Sequence, residues 1–254
     1  RAARLDQADP EIRYERGLVL LGLGRTEEGI ASFDEALALG PDDAVALVAK
    51  ASALSRMGYF QAAIRCCEQV IGKDPLNPDA WFIRGSVLYM TGRWTEAVPC
   101  LEQATSLDLG HAEAWYTLGN CHYYLGGYDE AIACYDTVIA LDPLYPKAWY
   151  NKGVTLADVR HYGEALRCYE ECARIISGVA VVCTYMGVAL AGLGKYEEAI
   201  GKFDEAIGIN PRDPTPWNNK AASLRRLGRD MEAEEAAGKV KEITRGREMP
   251  WIIR

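Results

Sequence analysis

One spacing governs this chain: 34 residues. Trp81, Trp115 and Trp149 stand that far apart, with Trp217 two periods further on and Cys183 at the place between. Gly17, Gly85, Gly119, Gly153 and Gly187 share a second register, which Ala51 and Ala221 complete. Tyr128, Tyr162 and Tyr196 mark a third, preceded by Phe60 and Trp94. Ala63, Ala97, Ala131, Ala165, Ala199 and Ala233 mark a fourth, from which only Gly29 departs. Pro41, Pro75, Pro143 and Pro211 close four units, and Leu109 and Ser177 stand at that place in two others. A period held without insertion means one small structural unit laid side by side with its own copies. Each copy can bury its apolar face only against its neighbours.

The stretch 112–145 shows what the unit is. Trp115, Leu118, Gly119 and His122 follow the i, i+3, i+4, i+7 rule, which predicts a helix from about Ala112 to Leu125. The Gly126-Gly127 pair stops it, since glycine accepts the left-handed backbone of a helix end. Ala131, Ile132, Tyr135, Val138 and Ile139 predict a second helix from about Asp129 to Leu141. Asp142-Pro143 ends that one, because the residue before proline avoids helical geometry. The small residue at Gly119 and its equivalents lets two helices approach closely, and a bulky replacement should overpack at about 1–3 kcal/mol. The tryptophan and tyrosine registers read as core, filling the space between successive units.

These registers resemble the W-x2-L-G-x2-Y…A-x3-F…P pattern of the tetratricopeptide repeat family. The resemblance covers seven units: 10–43, 44–77, 78–111, 112–145, 146–179, 180–213 and 214–247. It implies an all-α fold, a right-handed α-solenoid superhelix of stacked antiparallel helix pairs. Unit one is the most degenerate, with Arg13 in place of the tryptophan and Arg16 in place of the leucine. Unit five has Arg160 where the turn glycine belongs and lacks the closing proline, so the loosest joint is expected between units five and six. Residues 1–9 fit the tail of a preceding repeat or an N-terminal cap. Trp251 lies one period after Trp217, so 248–254 read as the start of a further helix or a cap. The ends thus suggest a piece of a longer array; the plainer alternative is a complete small protein.

Composition narrows the function. A formal net charge of −8 argues against nucleic acid or an anionic membrane as the main partner, although Arg225, Arg226 and Arg229 could form a local basic patch. No apolar run reaches the ~18 residues of a membrane span. Of the eight cysteines, Cys66, Cys100, Cys134 and Cys168 occupy one repeat position in four consecutive units. Equivalent helices lie about 8–10 Å apart or more, whereas a disulfide needs Cα atoms within about 7 Å. Free thiols are therefore expected, which points to a reducing, cytoplasmic setting. His111, His122 and His161 lack metal spacing, no phosphate-binding loop is present, and the acidic pairs Glu27-Glu28 and Glu197-Glu198 suit helix N-termini. No catalytic residue, metal or cofactor is expected, and the chain does not read as an enzyme.

The resemblance also implies where a partner binds. In that family the first helix of each unit lines a concave groove through its second, fifth, sixth, ninth, twelfth and thirteenth residues. On this chain those places hold Phe82, Ser86 and Tyr89 in unit three, and Tyr116, Asn120, Tyr123 and Tyr124 in unit four. Units five and seven add Tyr150, Asn151, Asn218, Asn219 and Arg225. Tyrosine buries large area at low entropy cost, and asparagine both donates and accepts toward an extended backbone. The expectation is a scaffold that holds an extended segment of a partner protein. The alternative for the tyrosines is packing against the neighbouring unit. No unit carries the fifth-place lysine of co-chaperones that clamp a C-terminal carboxylate. Asn151 and Asn219 match in part the sixth-place asparagine ladder of O-linked N-acetylglucosamine transferases, so a substrate-recruiting arm of a larger enzyme is the second reading. Self-association through the array ends is a third.

Overall fold

A computed structural model describes residues 9–40 and 43–245. The described residues form α-helices and no strand. The helices are α1 (Pro10–Gly22), α2 (Thr26–Leu39), α3 (Ala44–Arg56), α4 (Phe60–Lys73), α5 (Pro78–Met90), α6 (Trp94–Leu107) and α7 (Ala112–Leu125). They continue as α8 (Tyr128–Leu141), α9 (Pro146–Asp158), α10 (Tyr162–Ile175), α11 (Ala180–Gly192), α12 (Tyr196–Ile209), α13 (Pro214–Arg226) and α14 (Asp230–Arg245). The α8 helix begins one residue earlier than the apolar pattern predicts. Pro41 and the two chain ends, 1–8 and 246–254, lie outside the described residues.

Residues up to Gly126 form one compact unit and those from Gly127 a second. In the first, each helix packs on the next, and α1, α3, α5 and α7 also touch their next-but-one neighbours. In the second, α8 through α14 follow the same rule, with α9, α11 and α13 touching two apart. The odd-numbered helices thus form the inner row within each stack of antiparallel pairs.

Local chemistry sets the helix ends. Asp9, Asp43, Asn77 and Asp213 accept backbone N–H groups of the first turn at 2.9–3.0 Å. Such a cap contributes about 1 kcal/mol. At the same register His111 accepts from Ala114 N–H through Nδ1 at 3.2 Å. At the other ends Gly24, Gly58, Gly92, Gly126, Gly194 and Gly228 take left-handed φ between 74° and 82°. Arg160 holds the same register with φ 65°, the sole non-glycine with positive φ among the described residues. A side chain there costs about 1–2 kcal/mol, of which glycine's looser unfolded chain takes back about 0.5–1 kcal/mol. Arg160→Gly is therefore expected to stabilise the fold by about 0.5–1 kcal/mol, read as a higher urea midpoint. An unchanged midpoint would show that the arginine side chain makes up the difference.

The core repeats one close approach. Rings or branched side chains lie directly over the small register: Phe33 on Gly17, Leu101 on Gly85, Tyr169 on Gly153 and Phe203 on Gly187. A Cβ on those glycines would sit 2.4–2.7 Å from the covering side chain. Where the small residue is alanine, the place 16 residues on is small too: Cys67 after Ala51 and Ala237 after Ala221. The joint between α10 and α11, expected to be the loosest, is spanned by one buried cluster. Tyr169 and Cys172 of α10 join Val182, Met186 and Ala189 of α11 around Leu156.

The tryptophans stand at the rim of the core: Trp81, Trp115, Trp149 and Trp217 are half-buried, with Trp149 and Trp217 packed against buried clusters. Each indole N–H donates to the carbonyl six residues upstream: Pro75, Leu109, Pro143 and Pro211, at 2.9–3.3 Å. The N–H needs an acceptor when its ring is covered, and here it ties the helix to the turn that precedes it. A second repeating device escaped the sequence reading. Lys50 pairs with Asp34 at 2.5 Å, Arg84 with Glu68 at 3.6 Å, Lys152 with Asp136 at 2.5 Å and Lys220 with Asp204 at 2.6 Å. Each pair joins a second helix to the first helix that follows it. Such half-exposed pairs set register more than stability.

Candidate partner-binding groove

The residues assigned to the groove by register sit on the inner row, and the structure gathers them unequally. In the first unit Tyr89 of α5 and Tyr116, Tyr123 and Tyr124 of α7 converge beside Trp94. The Tyr124 ring stacks on Trp94 with centroids 4.6 Å apart and planes 12° apart. Its centroid lies 6.2 Å from that of Tyr89 and 5.5 Å from that of Tyr123. Tyr124 still leaves 51% of its surface open. Burial, followed by the fields of Tyr124 and Tyr116, pushes the Tyr89 phenol up to about 12. That phenol stays protonated at neutral pH and can donate. Phe82 packs on the His111 ring at 4.4 Å. Ser86, next along the same helix face, has a buried Oγ without a hydrogen-bond partner.

Asn120 does not stand open as its register suggested: it is 5% exposed. The sixth-place residues Ile83 and Thr117 are buried as well. Thr117 donates its hydroxyl to the Glu113 carbonyl at 2.8 Å, inside its own helix. The ninth place of α7 is therefore covered rather than open.

In the second unit Tyr150 of α9, Tyr169 of α10 and Tyr185 of α11 meet. Their centroids are 5.5–6.1 Å apart, with Tyr150 and Tyr185 edge-to-face at 87°. Asn151 is half-buried nearby on α9. Asn219 lines a concavity of about 230 Å³ with Val188, Ala191, Ala222 and Arg226. Asn218 and Arg225 are exposed. Arg225 pairs with Glu234 at 3.1 Å, and Arg229 with Glu197 at 3.0 Å and Glu232 at 2.6 Å. Two of the three arginines read as a basic patch, Arg225 and Arg229, therefore meet acidic partners. Sequence reasoning also missed Trp94, Tyr169 and Tyr185 as parts of the face. The available signal was a tyrosine at Tyr169 where Phe33 and Phe203 stand one, or several, periods away.

All eight cysteines are free, and only Cys183 among them is more than slightly exposed. No group of described residues could hold a metal ion. No helix among the described residues is long and apolar enough to cross a membrane.

Stacked helix pairs with an aromatic inner face define an all-α solenoid of the protein-binding scaffold class. The chain belongs to the tetratricopeptide repeat family. Family models described as tetratricopeptide or TPR repeat match residues 1–44, 119–159, 146–177 and 186–244. Another, for the anaphase-promoting complex, cyclosome, subunit 3, matches residues 56–138. The human mitochondrial import receptor subunit TOM70 is 36% identical over 81 residues, which span 29% of this chain and 13% of the receptor. A MamA crystal structure is similar at TM-score 0.61 and 26% identity, covering 64% of this chain and 88% of that one. YrrB, described as a TPR protein with an unusual peptide-binding site, gives TM-score 0.56 at 25% identity, over 69% and 90%. PilF of Pseudomonas aeruginosa has TM-score 0.74 at 19% identity, over 85% and 98%, a likeness of fold alone.

Proposed function

We propose that the chain is a non-enzymatic scaffold whose inner helix row holds an extended segment of a partner protein. In this reading the repeats of each compact unit, within the seven from 10–43 through 214–247, present their inner helices to the partner, and Tyr89, Tyr116, Tyr123 and Tyr124 are the main anchor of the first unit. The observation that carries it is the shelf they make with Trp94. A tyrosine stacked on an indole is rigid before any partner arrives, so little freedom is lost on binding. An open aromatic face with polar tips is what hot spots are made of. Asn218, Asn219 and Asn151 supply groups that both donate and accept toward a peptide backbone. YrrB, similar in fold and described as peptide-binding, lends support.

The test is selection of a displayed library of random twelve-residue peptides on the protein. Tyr124→Ala combined with Asn218→Ala removes two exposed side chains, so the fold should survive. Selected peptides are expected to bind the double variant at least about tenfold more weakly, the loss of a modest hot spot. The reading fails if no peptide is enriched, or if enriched peptides bind the variant as well as the parent while circular dichroism is unchanged.

A further inference from the structure

We infer that Tyr150, Tyr169 and Tyr185, with Asp158, form a subsite for a lysine or arginine side chain of the bound segment. The inference rests on the groove reading above and names what one part of the groove recognises. Four observations carry it. Tyr169 is fully buried, and its hydroxyl has no hydrogen-bond partner. At the equivalent places Phe33 and Phe203 fill the same space without a hydroxyl, and Tyr135 is a second buried tyrosine. The Tyr169 ring is therefore explained by packing over Gly153, but its oxygen is not. A buried hydroxyl left unmatched is costly, and a ligand group that reaches it recovers that cost.

The surroundings indicate what that something is. The Tyr169 ring packs against Tyr150 and Tyr185, both half-buried and both at places of the inner row. Asp158, exposed at the end of α9, lies close enough for its charge to act on the Tyr169 phenol, after burial and the two neighbouring tyrosines. Ring faces attract cations, a phenol oxygen accepts from an N–H donor, and a carboxylate completes the match for a positive charge. An acidic guest would meet Asp158 and the negative ring faces with no cation in the group. The chain's net charge of −8 favours the same class of partner at longer range. A guest reaches the hydroxyl by parting Tyr150 from Tyr185, which meet edge-to-face.

Tyr169→Phe tests this, because it keeps the ring and removes only the oxygen. The variant should melt at a higher temperature than the parent, since an unmatched buried hydroxyl is gone. It should also bind library-selected peptides roughly tenfold more weakly, the worth of one charge-assisted hydrogen bond. Asp158→Asn should weaken the same peptides about three- to tenfold and leave melting unchanged. The selected peptides themselves should share a lysine or arginine, and norleucine at that place should reproduce the loss. Enriched peptides without a common basic residue overturn the subsite, as does equal affinity for the parent and Tyr169→Phe. Both of those results would leave the groove reading standing. Failure to enrich any peptide removes the groove reading, and the subsite with it.

Discussion

Gly187→Ala is expected to cost about 2 kcal/mol in the native chain and to become stabilising when Phe203 is alanine. The reason is a single contact. A Cβ at Gly187 would lie 2.4 Å from Cε1 of Phe203, and that ring has no exposed surface into which it can retreat. Phe203→Ala alone removes a fully buried ring and should cost about 3–5 kcal/mol. In that background the added methyl enters the space left behind, and the helix gains about 0.5–1 kcal/mol from losing an interior glycine. The two changes must therefore couple with a sign reversal, which a double-mutant cycle measures directly. The chain contains the compensated pair already: Ala221 at the small register is followed by Ala237, and Ala51 by Cys67. Additive costs, with Gly187→Ala equally harmful in both backgrounds, would show that the glycine is kept for some reason other than the ring above it.

That pairing also marks what was legible in the sequence. Helix positions, turn glycines and the small register follow from interactions between residues a few places apart, so periodicity alone locates them. The α7 helix runs from Ala112 to Leu125 as its apolar spacing predicts. Arg160 in the turn register could be seen to be out of place before any coordinate. The 16-residue rule that links Gly187 to Phe203 is present in the sequence too, but it shows only once the two registers are known to touch. The same holds for the Lys152–Asp136 ladder.

The groove was less legible, because inner-row position does not determine exposure. Tyr124 and Asn120 are both assigned to the face by register, yet the first is half open and the second almost wholly covered. What separates them is packing between elements, which spacing along one helix does not report. Trp94 read as packing because its register is aromatic from Phe60 to Tyr196. Its stack with Tyr124 is a contact between elements that no spacing along one helix reports. The tryptophans read as core because size suggests burial. Their N–H groups need acceptors, and the carbonyl six residues upstream depends on the shape of the turn.

The last prediction concerns the thiols, whose behaviour separates a tightly stacked array from a loose one. Burial pushes Cys67 up to about 12 and Cys168 up to about 11, and raises Cys66, Cys100 and Cys172 as well. Iodoacetamide reacts with the thiolate, so at pH 8 Cys67 should react roughly a thousandfold more slowly than an ordinary thiol near 9. Cys183, half-exposed and raised by burial and then by Glu205, should be modified first. Mass spectrometry of the folded protein should show one adduct, and of the protein in urea, eight. The linkage runs the same way. Below about pH 9 the thiols are protonated in folded and unfolded chains alike, and stability is intact. Above it the unfolded chain releases protons that the folded chain retains, so stability falls up to the folded values near 11 and 12. Cys67 alone should remove about 2 kcal/mol by pH ~10.5. Tyr89, at about 12, adds to the loss in the upper part of that window. The urea midpoint should thus hold up to about pH 9 and drop sharply between pH ~9 and ~10.5. A flat midpoint, or several adducts forming together on the folded chain, would mean that the helices part often enough for water to reach the core.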